Sequence, residues 1–337
     1  MEEWQNDENP KDDHYGERWI SSLTEARASS TNENEGLSII ISNNKTLKQV
    51  IQEKPIKFLG ENHYKKYGNN LGVLVKALDS YSRLLIQVHP NKELAKKYFN
   101  SPFGKTEAWY ILDTREVNGE QPYILLGFKE GVTKEELKEA FHKQDIKAME
   151  TMMHKFFVNQ GDVFFIEAGL PHAIGSGCFL IEIQEPTDYT IRVEKTTPDG
   201  REVDDFSCHQ GLGFEKMFEC FNYTGFSKGN IEDRFKINPK VIWNSTDVKV
   251  ENLISEKQTS LFQMQKLSIK SKLKLESMDS FAIFIILKGE GKLICNNLEL
   301  ELNKADEFFI PYDVHNLELI NQGIEQLELI ICFPPKS

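Results

Sequence analysis

Residues 161–172 read GDVFFIEAGLPH, a pattern that predicts a buried strand followed by a tight turn ending on His172. Residues 304–311 read KADEFFIP and repeat this pattern more weakly, and His315 follows them within a few positions. Two copies of one strand-and-turn unit predict two related barrels. Strict alternation over residues 298–302, LELEL, further indicates an antiparallel barrel or jelly roll.

The chain is predicted to have three parts. Residues 1–36 are polar, and we expect this N-terminal arm to pack loosely on the rest, with its first dozen residues mobile. Residues 37–225 form the first barrel, which includes a helical insertion at 131–157. Residues 226–337 form a second barrel that lacks a metal site, because one histidine without an upstream partner cannot make a closed site.

Apolar residues at helical spacing predict helices beside the barrels. A helical pattern covers residues 46–80, where leucines and valines recur at intervals of three and four. A capping box at residues 133–136, TKEE, opens a second helix, and a third is predicted over residues 146–156. These apolar stripes are expected to face the core and to carry no chemistry.

Composition limits the possible partners and the compartment. Fifty-two acidic and forty basic residues give a net charge of -12, which disfavours nucleic acid and anionic membranes. The longest apolar run, residues 281–287, is too short to cross a bilayer, and the N-terminus has no secretory pattern. Five cysteines without CxxC spacing indicate reduced thiols, so we expect a cytoplasmic protein.

Four side chains could surround one divalent metal. Gln87 and His89 lie two apart in a short apolar run, so a strand would point both into one cavity. Glu107 opens a second strand pattern, and His172 ends the turn described above. Imidazole, carboxylate and amide ligands suit zinc and are tolerated by other first-row divalent ions. Spacing alone also allows His172 to be a histidine that only satisfies its own hydrogen bonds.

Four motifs in one order resemble a known family. Residues 87–92 read QVHPNK, 104–110 read GKTEAWY, 161–173 end in PHA, and 182–192 read EIQEPTDYTIR. Together they resemble the type I phosphomannose isomerases, zinc-dependent cupins that interconvert mannose 6-phosphate and fructose 6-phosphate. The resemblance extends from about residue 16 to residue 333.

The resemblance implies a mainly β fold with two cupin-type jelly-roll barrels, a small helical insertion and helices packed outside. It also implies a small sugar phosphate as substrate, one Zn²⁺ per chain, and a monomer or homodimer. Arg192 would be the key cation of the active site, and Lys105 and Asp188 would be further site residues. Proton transfer through an enediol needs a general base, for which Asp188 and Glu182 are the candidates. The implied metal ligands are Gln87, His89, Glu107 and His172.

One residue departs from the family pattern. Where the family generally has a serine that helps to hold the substrate phosphate, two residues before the glutamine ligand, this chain has Leu85. Leucine cannot donate that hydrogen bond, so the alternatives are another aldose phosphate as substrate or a non-catalytic sugar-phosphate sensor. An iron-dependent cupin dioxygenase fits less well, because an amide ligand is unusual in such sites.

Overall fold

The computed structural model describes residues 1, 4, 16–27 and 34–336, and strands dominate these residues. The strands of the first part are β1 (Glu17–Ile20), β2 (Leu74–Ser80), β3 (Gln87–Val88), β4 (Glu107–Thr114), β5 (Tyr123–Phe128), β6 (Met153–Phe157), β7 (Val163–Ile166), β8 (His172–Ile174), β9 (Cys178–Gln184), β10 (Ile191–Arg192) and β11 (Lys236–Ile237). They form a six-stranded sheet, β1-β2-β9-β4-β7-β11, and a five-stranded sheet, β10-β3-β8-β5-β6. Every pairing in these two sheets is antiparallel.

The second part repeats this arrangement. Its strands are β12 (Lys240–Asn244), β13 (Val248–Ile254), β14 (Gln263–Ile269), β15 (Lys272–Ser277), β16 (Ala282–Lys288), β17 (Gly291–Cys295), β18 (Leu298–Leu302), β19 (Glu307–Ile310), β20 (His315–Asn321) and β21 (Leu327–Phe333). They form one sheet of six strands, β12-β13-β14-β21-β16-β19, and one of four, β15-β20-β17-β18. The mainly β, two-barrel architecture expected from the sequence is therefore confirmed.

Helices occupy the connections between strands. They are α1 (Leu47–Glu53), α2 (Pro55–Leu59), α3 (Glu61–Tyr67), α4 (Lys92–Phe99), α5 (Lys134–Lys143), α6 (Ile146–Thr151), α7 (Asp205–His209) and α8 (Lys228–Phe235), with a 3₁₀ turn at Met217–Cys220. The predicted capping box is present, since the Thr133 side chain accepts from the backbone amide of Glu136 and the Glu136 carboxylate accepts in return. None of the described helices is long and apolar enough to span a bilayer.

Three hydrophobic clusters hold the sheets together. One lies between the two sheets of the first barrel and includes Ile111, Leu126 and Leu180. A second fills the other barrel, and a third joins the two six-stranded sheets face to face, with Ile181 and Ile283 on opposite sides. Burying this much apolar surface is the main stabilising term of the fold.

Two of the predicted helices are wrong in part. The pattern over residues 46–80 yields three short helices, but its last portion is strand β2, whose residues are almost all buried. A strand buried on both faces has no polar alternation, so a short apolar run cannot be distinguished from a helix by periodicity. The helix predicted over residues 146–156 ends at Thr151, because the next residues pair with β5 as strand β6.

The N-terminal arm is more ordered than expected. Strand β1 pairs with β2 along its whole length, and Ile20 is fully buried, so this portion does not pack loosely. The expectation for the first dozen residues falls almost entirely outside the described residues. Strand β11 pairs with β7 in the first barrel, and the domain limits given above stay a prediction.

Candidate metal and substrate site

The four predicted ligands come from neighbouring strands of the first barrel. Gln87 on β3 and His172 on β8 pair directly across the sheet, with the Gln87 Nε2 and His172 Nε2 atoms 3.3 Å apart. Glu107 is the first residue of β4, as predicted, and His89 follows β3. The Glu107 carboxylate lies 3.2 Å from His89 Nε2 and 3.3 Å from His172 Nε2. The structure therefore brings all four side chains together.

The imidazole tautomers leave both Nε2 lone pairs directed at this carboxylate. His89 Nδ1 lies 3.0 Å from the Tyr189 carbonyl, and His172 Nδ1 lies 2.9 Å from the Leu170 carbonyl. A carbonyl can only accept, so each Nδ1 carries the ring proton and each Nε2 is an acceptor. Neither Glu107 oxygen receives a hydrogen bond of good geometry from the described residues.

Such convergence of acceptors fits a cation. Nitrogen and oxygen atoms of His89, Glu107 and His172 lie within 4.8 Å of one another, and all three residues are buried. Turning the Gln87 amide by half a rotation would add its oxygen to the set, which makes two nitrogens and two oxygens. This donor set suits zinc, and each histidine already has a carbonyl partner that fixes its ring.

Burial and charge keep these groups in the ionisation states that metal binding requires. Burial, followed by the charge of Lys105, lowers the pKa of His89 to about 3, and burial lowers the pKa of His172 as well. Burial alone would raise the pKa of Glu107, but Lys105 and the two imidazoles hold it well below its usual value. The site thus presents neutral imidazoles and a carboxylate.

A cavity of about 510 Å³ opens beside this cluster. Its wall includes Gln87 and all four predicted active-site residues, which are Lys105, Glu182, Asp188 and Arg192. Lys105 Nζ lies 3.1 Å from His89 Nε2 and 3.3 Å from Glu107, so this buried cation borders the metal cluster. The volume lies within the usual range of small-ligand pockets.

The two predicted carboxylates have different surroundings. Glu182 is buried and its Oε2 accepts from Trp109 Nε1 at 3.0 Å. Burial, reinforced by the negative charge of Glu107, raises the pKa of Glu182 to about 7. Asp188 accepts from the backbone amide of Arg27 at 2.8 Å, whereas Arg192 donates to the Ser207 carbonyl at 2.8 Å. The suggested contact between Asp188 and Arg192 is thus replaced by other partners.

A second cavity of about 250 Å³ adjoins the first. Gln87 and Arg192 line both cavities, and Leu85 and Arg201 line only the smaller one. Leu85 is buried, so the residue that departs from the family pattern faces this side pocket. The pocket contains hydroxyl and guanidinium groups that can replace the donor that leucine lacks.

Sequence reasoning missed a group of residues on the far wall. Lys76 on β2 is buried, pairs with Glu17 at 2.6 Å and lies 4.3 Å from the Trp19 ring centre. Burial alone would lower the pKa of Lys76, but Glu17, Glu182 and other carboxylates raise it above its usual value. A lysine within the apolar run VLVKAL was the available signal, because an unpaired lysine is almost never buried.

Two family models match separate parts of this chain. The model of the phosphomannose isomerase type I catalytic domain matches residues 1–118, and the model of the mannose-6-phosphate isomerase cupin domain matches residues 255–332. This chain belongs to the type I phosphomannose isomerase family. The first match includes Gln87, His89 and Glu107, and the second lies in the second barrel.

Curated relatives and solved structures agree with this family assignment. The chain is 29% identical over 296 residues to the Bacillus subtilis (strain 168) protein named "Probable mannose-6-phosphate isomerase GmuF", covering 88% of this chain and 83% of that protein. It is 27% identical to mannose-6-phosphate isomerase ManA of the same strain, over 75% of this chain and 73% of ManA.

The fold is shared with solved members. A crystal structure of mannose 6-phosphate isomerase from Bacillus subtilis superposes with a TM-score of 0.73 at 21% identity, covering 94% of this chain and 89% of that one. A zinc-bound mannose 6-phosphate isomerase superposes with a TM-score of 0.68 at 16% identity, over 95% of this chain and 91% of that one. Zinc is thus the metal of a structural relative, and the donor set of this chain fits it.

Proposed function

We propose that this protein is a zinc-dependent aldose-ketose isomerase that interconverts mannose 6-phosphate and fructose 6-phosphate. The observation that carries the proposal is the buried Glu107 carboxylate, which faces two acceptor nitrogens at the edge of a cavity lined by acid, base and cationic groups. A non-catalytic sensor would not require a buried carboxylate beside that cavity. The sensor alternative is therefore not favoured.

Gln87, His89, Glu107 and His172 would hold the metal. When bound, zinc would supply a Lewis acid that polarises the oxygens on C1 and C2 of the sugar. The side chains around it have their own tasks. Lys105 and Arg192 would bind the negative charge that develops on these oxygens as the enediol forms.

We assign the proton transfer to Glu182 rather than to Asp188. Glu182 would remove the proton from C2 of mannose 6-phosphate and return it to C1, which moves the carbonyl from C1 to C2. Its hydrogen bond from Trp109 fixes the carboxylate in the buried wall of the cavity, away from bulk water. Asp188 already accepts from the Arg27 backbone amide, and this contact supports a role in holding the N-terminal arm over the site.

The phosphate would enter the side pocket. Arg192 lines both cavities, and Arg201 lines the smaller one beside Leu85. Guanidinium groups bind phosphate through paired hydrogen bonds, so the two arginines can compensate for the missing serine hydroxyl. Arg201→Ala should raise KM about tenfold with a smaller effect on kcat, since a lost charged hydrogen bond costs about 1.5 kcal/mol.

The first experiment measures conversion of mannose 6-phosphate by zinc-loaded protein and by chelator-treated protein. Turnover that requires zinc is expected. His172→Ala should abolish it, while the matched variant His154→Ala should not, because His154 Nε2 contacts the Phe226 carbonyl, outside the metal cluster. Equal activity of the metal-free protein would contradict the proposal. Turnover of another aldose 6-phosphate alone would keep the reaction type and change the substrate.

A second experiment tests the general base. Glu182→Gln should lower kcat about 1000-fold, within the usual range for loss of a general base, and Asp188→Asn should have a much smaller effect. The opposite order would transfer the role to Asp188. The cytoplasmic location and the monomeric or dimeric state expected from the sequence stay predictions.

A further inference from the structure

Arg192 stands on one of the shortest strand pairings of the described structure. Strand β10 contains only Ile191 and Arg192, lies at the edge of the five-stranded sheet, and pairs Arg192 with Gln87 on β3. A slip of one residue would turn a side chain to the opposite face of the sheet. Two residue pairs alone are a weak guarantee of the register that directs Arg192 into the cavity.

A buried ion pair joins the chain segments on either side of this pairing. Glu194, two residues after Arg192, accepts from Nη1 of Arg83 at 2.7 Å and from Nη2 at 2.9 Å. Arg83 lies four residues before Gln87. The side chains of Arg83 and Glu194 are 7% and 1% exposed, so this bidentate pair is shielded from water and salt.

The same carboxylate also grips the backbone of the neighbouring strand. Glu194 Oε1 accepts from the Ile86 amide at 2.6 Å, immediately before Gln87, and the Val193 amide donates to the Ile86 carbonyl at 3.1 Å. Arg83 is fixed in turn, because its Nε lies 3.0 Å from Glu150 and its Nη1 donates to the Leu84 carbonyl. A one-residue slip would break all contacts of Glu194 at once.

We propose that Arg83 and Glu194 are positioning residues that lock Arg192 in register with Gln87, and so align the substrate-binding cation with the metal site. This inference rests on the proposed function. Neither residue needs to touch substrate. Their effect passes through Arg192, and this distinguishes them from residues that only stabilise the fold.

The test is a double-mutant cycle between Glu194→Gln and Arg192→Ala, read as kcat/KM of the zinc-loaded proteins. Glu194→Gln keeps the shape of the side chain but breaks the ion pair. It should lower kcat/KM about 100-fold in the wild-type background, as expected when a binding group is displaced by about 1 Å. In the Arg192→Ala background the further loss should be less than about threefold, because the displaced group is already absent.

Equal fold losses in the two backgrounds would overturn the inference, since they would indicate a general structural effect. Zinc content per chain should stay at the wild-type value. If Glu194→Gln does not fold, Arg83→Lys replaces it in the cycle, because lysine keeps the charge and loses the bidentate geometry. Glu328→Gln is the matched control, since its pair with Lys266 at 2.8 Å lies in the second barrel. It should leave kcat/KM within about twofold of wild type.

The outcome for wild-type protein separates this inference from the proposed function. Wild-type protein that binds zinc but isomerises no sugar phosphate would contradict the proposed function. The cycle would then be read with inorganic phosphate, titrated calorimetrically into the same four proteins. Weaker phosphate binding in Glu194→Gln only when Arg192 is present would support the positioning role, and equal weakening in both backgrounds would overturn it.

Discussion

Replacing Lys105 by methionine should make the stability of this protein more dependent on zinc. Lys105 Nζ lies 3.3 Å from the Glu107 carboxylate and 3.1 Å from His89 Nε2, and the Lys105 side chain is only 4% exposed. Without metal, this ammonium is the cation that compensates the buried carboxylate. Methionine keeps most of the side-chain volume and removes the charge.

The magnitude follows from the cost of an uncompensated buried charge. Removing one partner of a buried ion pair costs about 3–5 kcal/mol, so Lys105→Met should lower the free energy of unfolding of the zinc-free protein by that amount. With zinc bound, a dication would compensate Glu107 and the loss should be smaller. A difference of about 2 kcal/mol between the two states corresponds to about 30-fold tighter zinc binding by the variant.

The assay is urea unfolding followed by tryptophan fluorescence, with and without saturating zinc. Trp109 is fully buried, and its ring centre lies 5.5 Å from that of His172, so it reports on the site directly. Zinc affinity is measured separately by competition with a chromogenic chelator. Lys236→Met is the matched control, because the pair of Lys236 with Asp162 lies outside the metal cluster. An equal loss of stability with and without zinc would refute the reasoning.

Three further predictions concern substrate binding, the thiols and the second barrel. Leu85→Ser should lower KM for mannose 6-phosphate about tenfold, because a hydroxyl bonded to phosphate contributes about 1.5 kcal/mol, whereas Leu85→Ala should not; equal KM values would contradict this. Burial raises the pKa of Cys178 to about 12 and that of Cys208 to about 11, so at pH 8 both thiols stay protonated and should react with a thiol reagent only after unfolding. Phe284→Ala should lower the free energy of unfolding in urea by about 3–5 kcal/mol, since Phe284 is fully buried in the second barrel; a loss below about 1 kcal/mol would show that the cavity collapses.

The sequence by itself determined the elements whose signals are local. Alternation and turn residues were enough to predict strands ending at His172 and beginning at Glu107, and the paired positions of Gln87 and His89 follow from strand geometry. The weak echo between residues 161–166 and 304–311 correctly indicated two barrels. The order of four motifs indicated the family, since each motif retains its own residue types whatever its neighbours in space.

Only the tertiary structure decided the features that depend on distant pairing. Strand β2 was taken for a helix because its residues are buried on both faces, and its pairing with β1 and β9 fixed it as a strand. That error also concealed Lys76, whose partner Glu17 is distant in sequence. The contact between Arg83 and Glu194 spans 111 residues, so no local pattern could reveal it. Local sequence sets which conformations a segment can adopt, whereas burial and long-range ion pairs select among them.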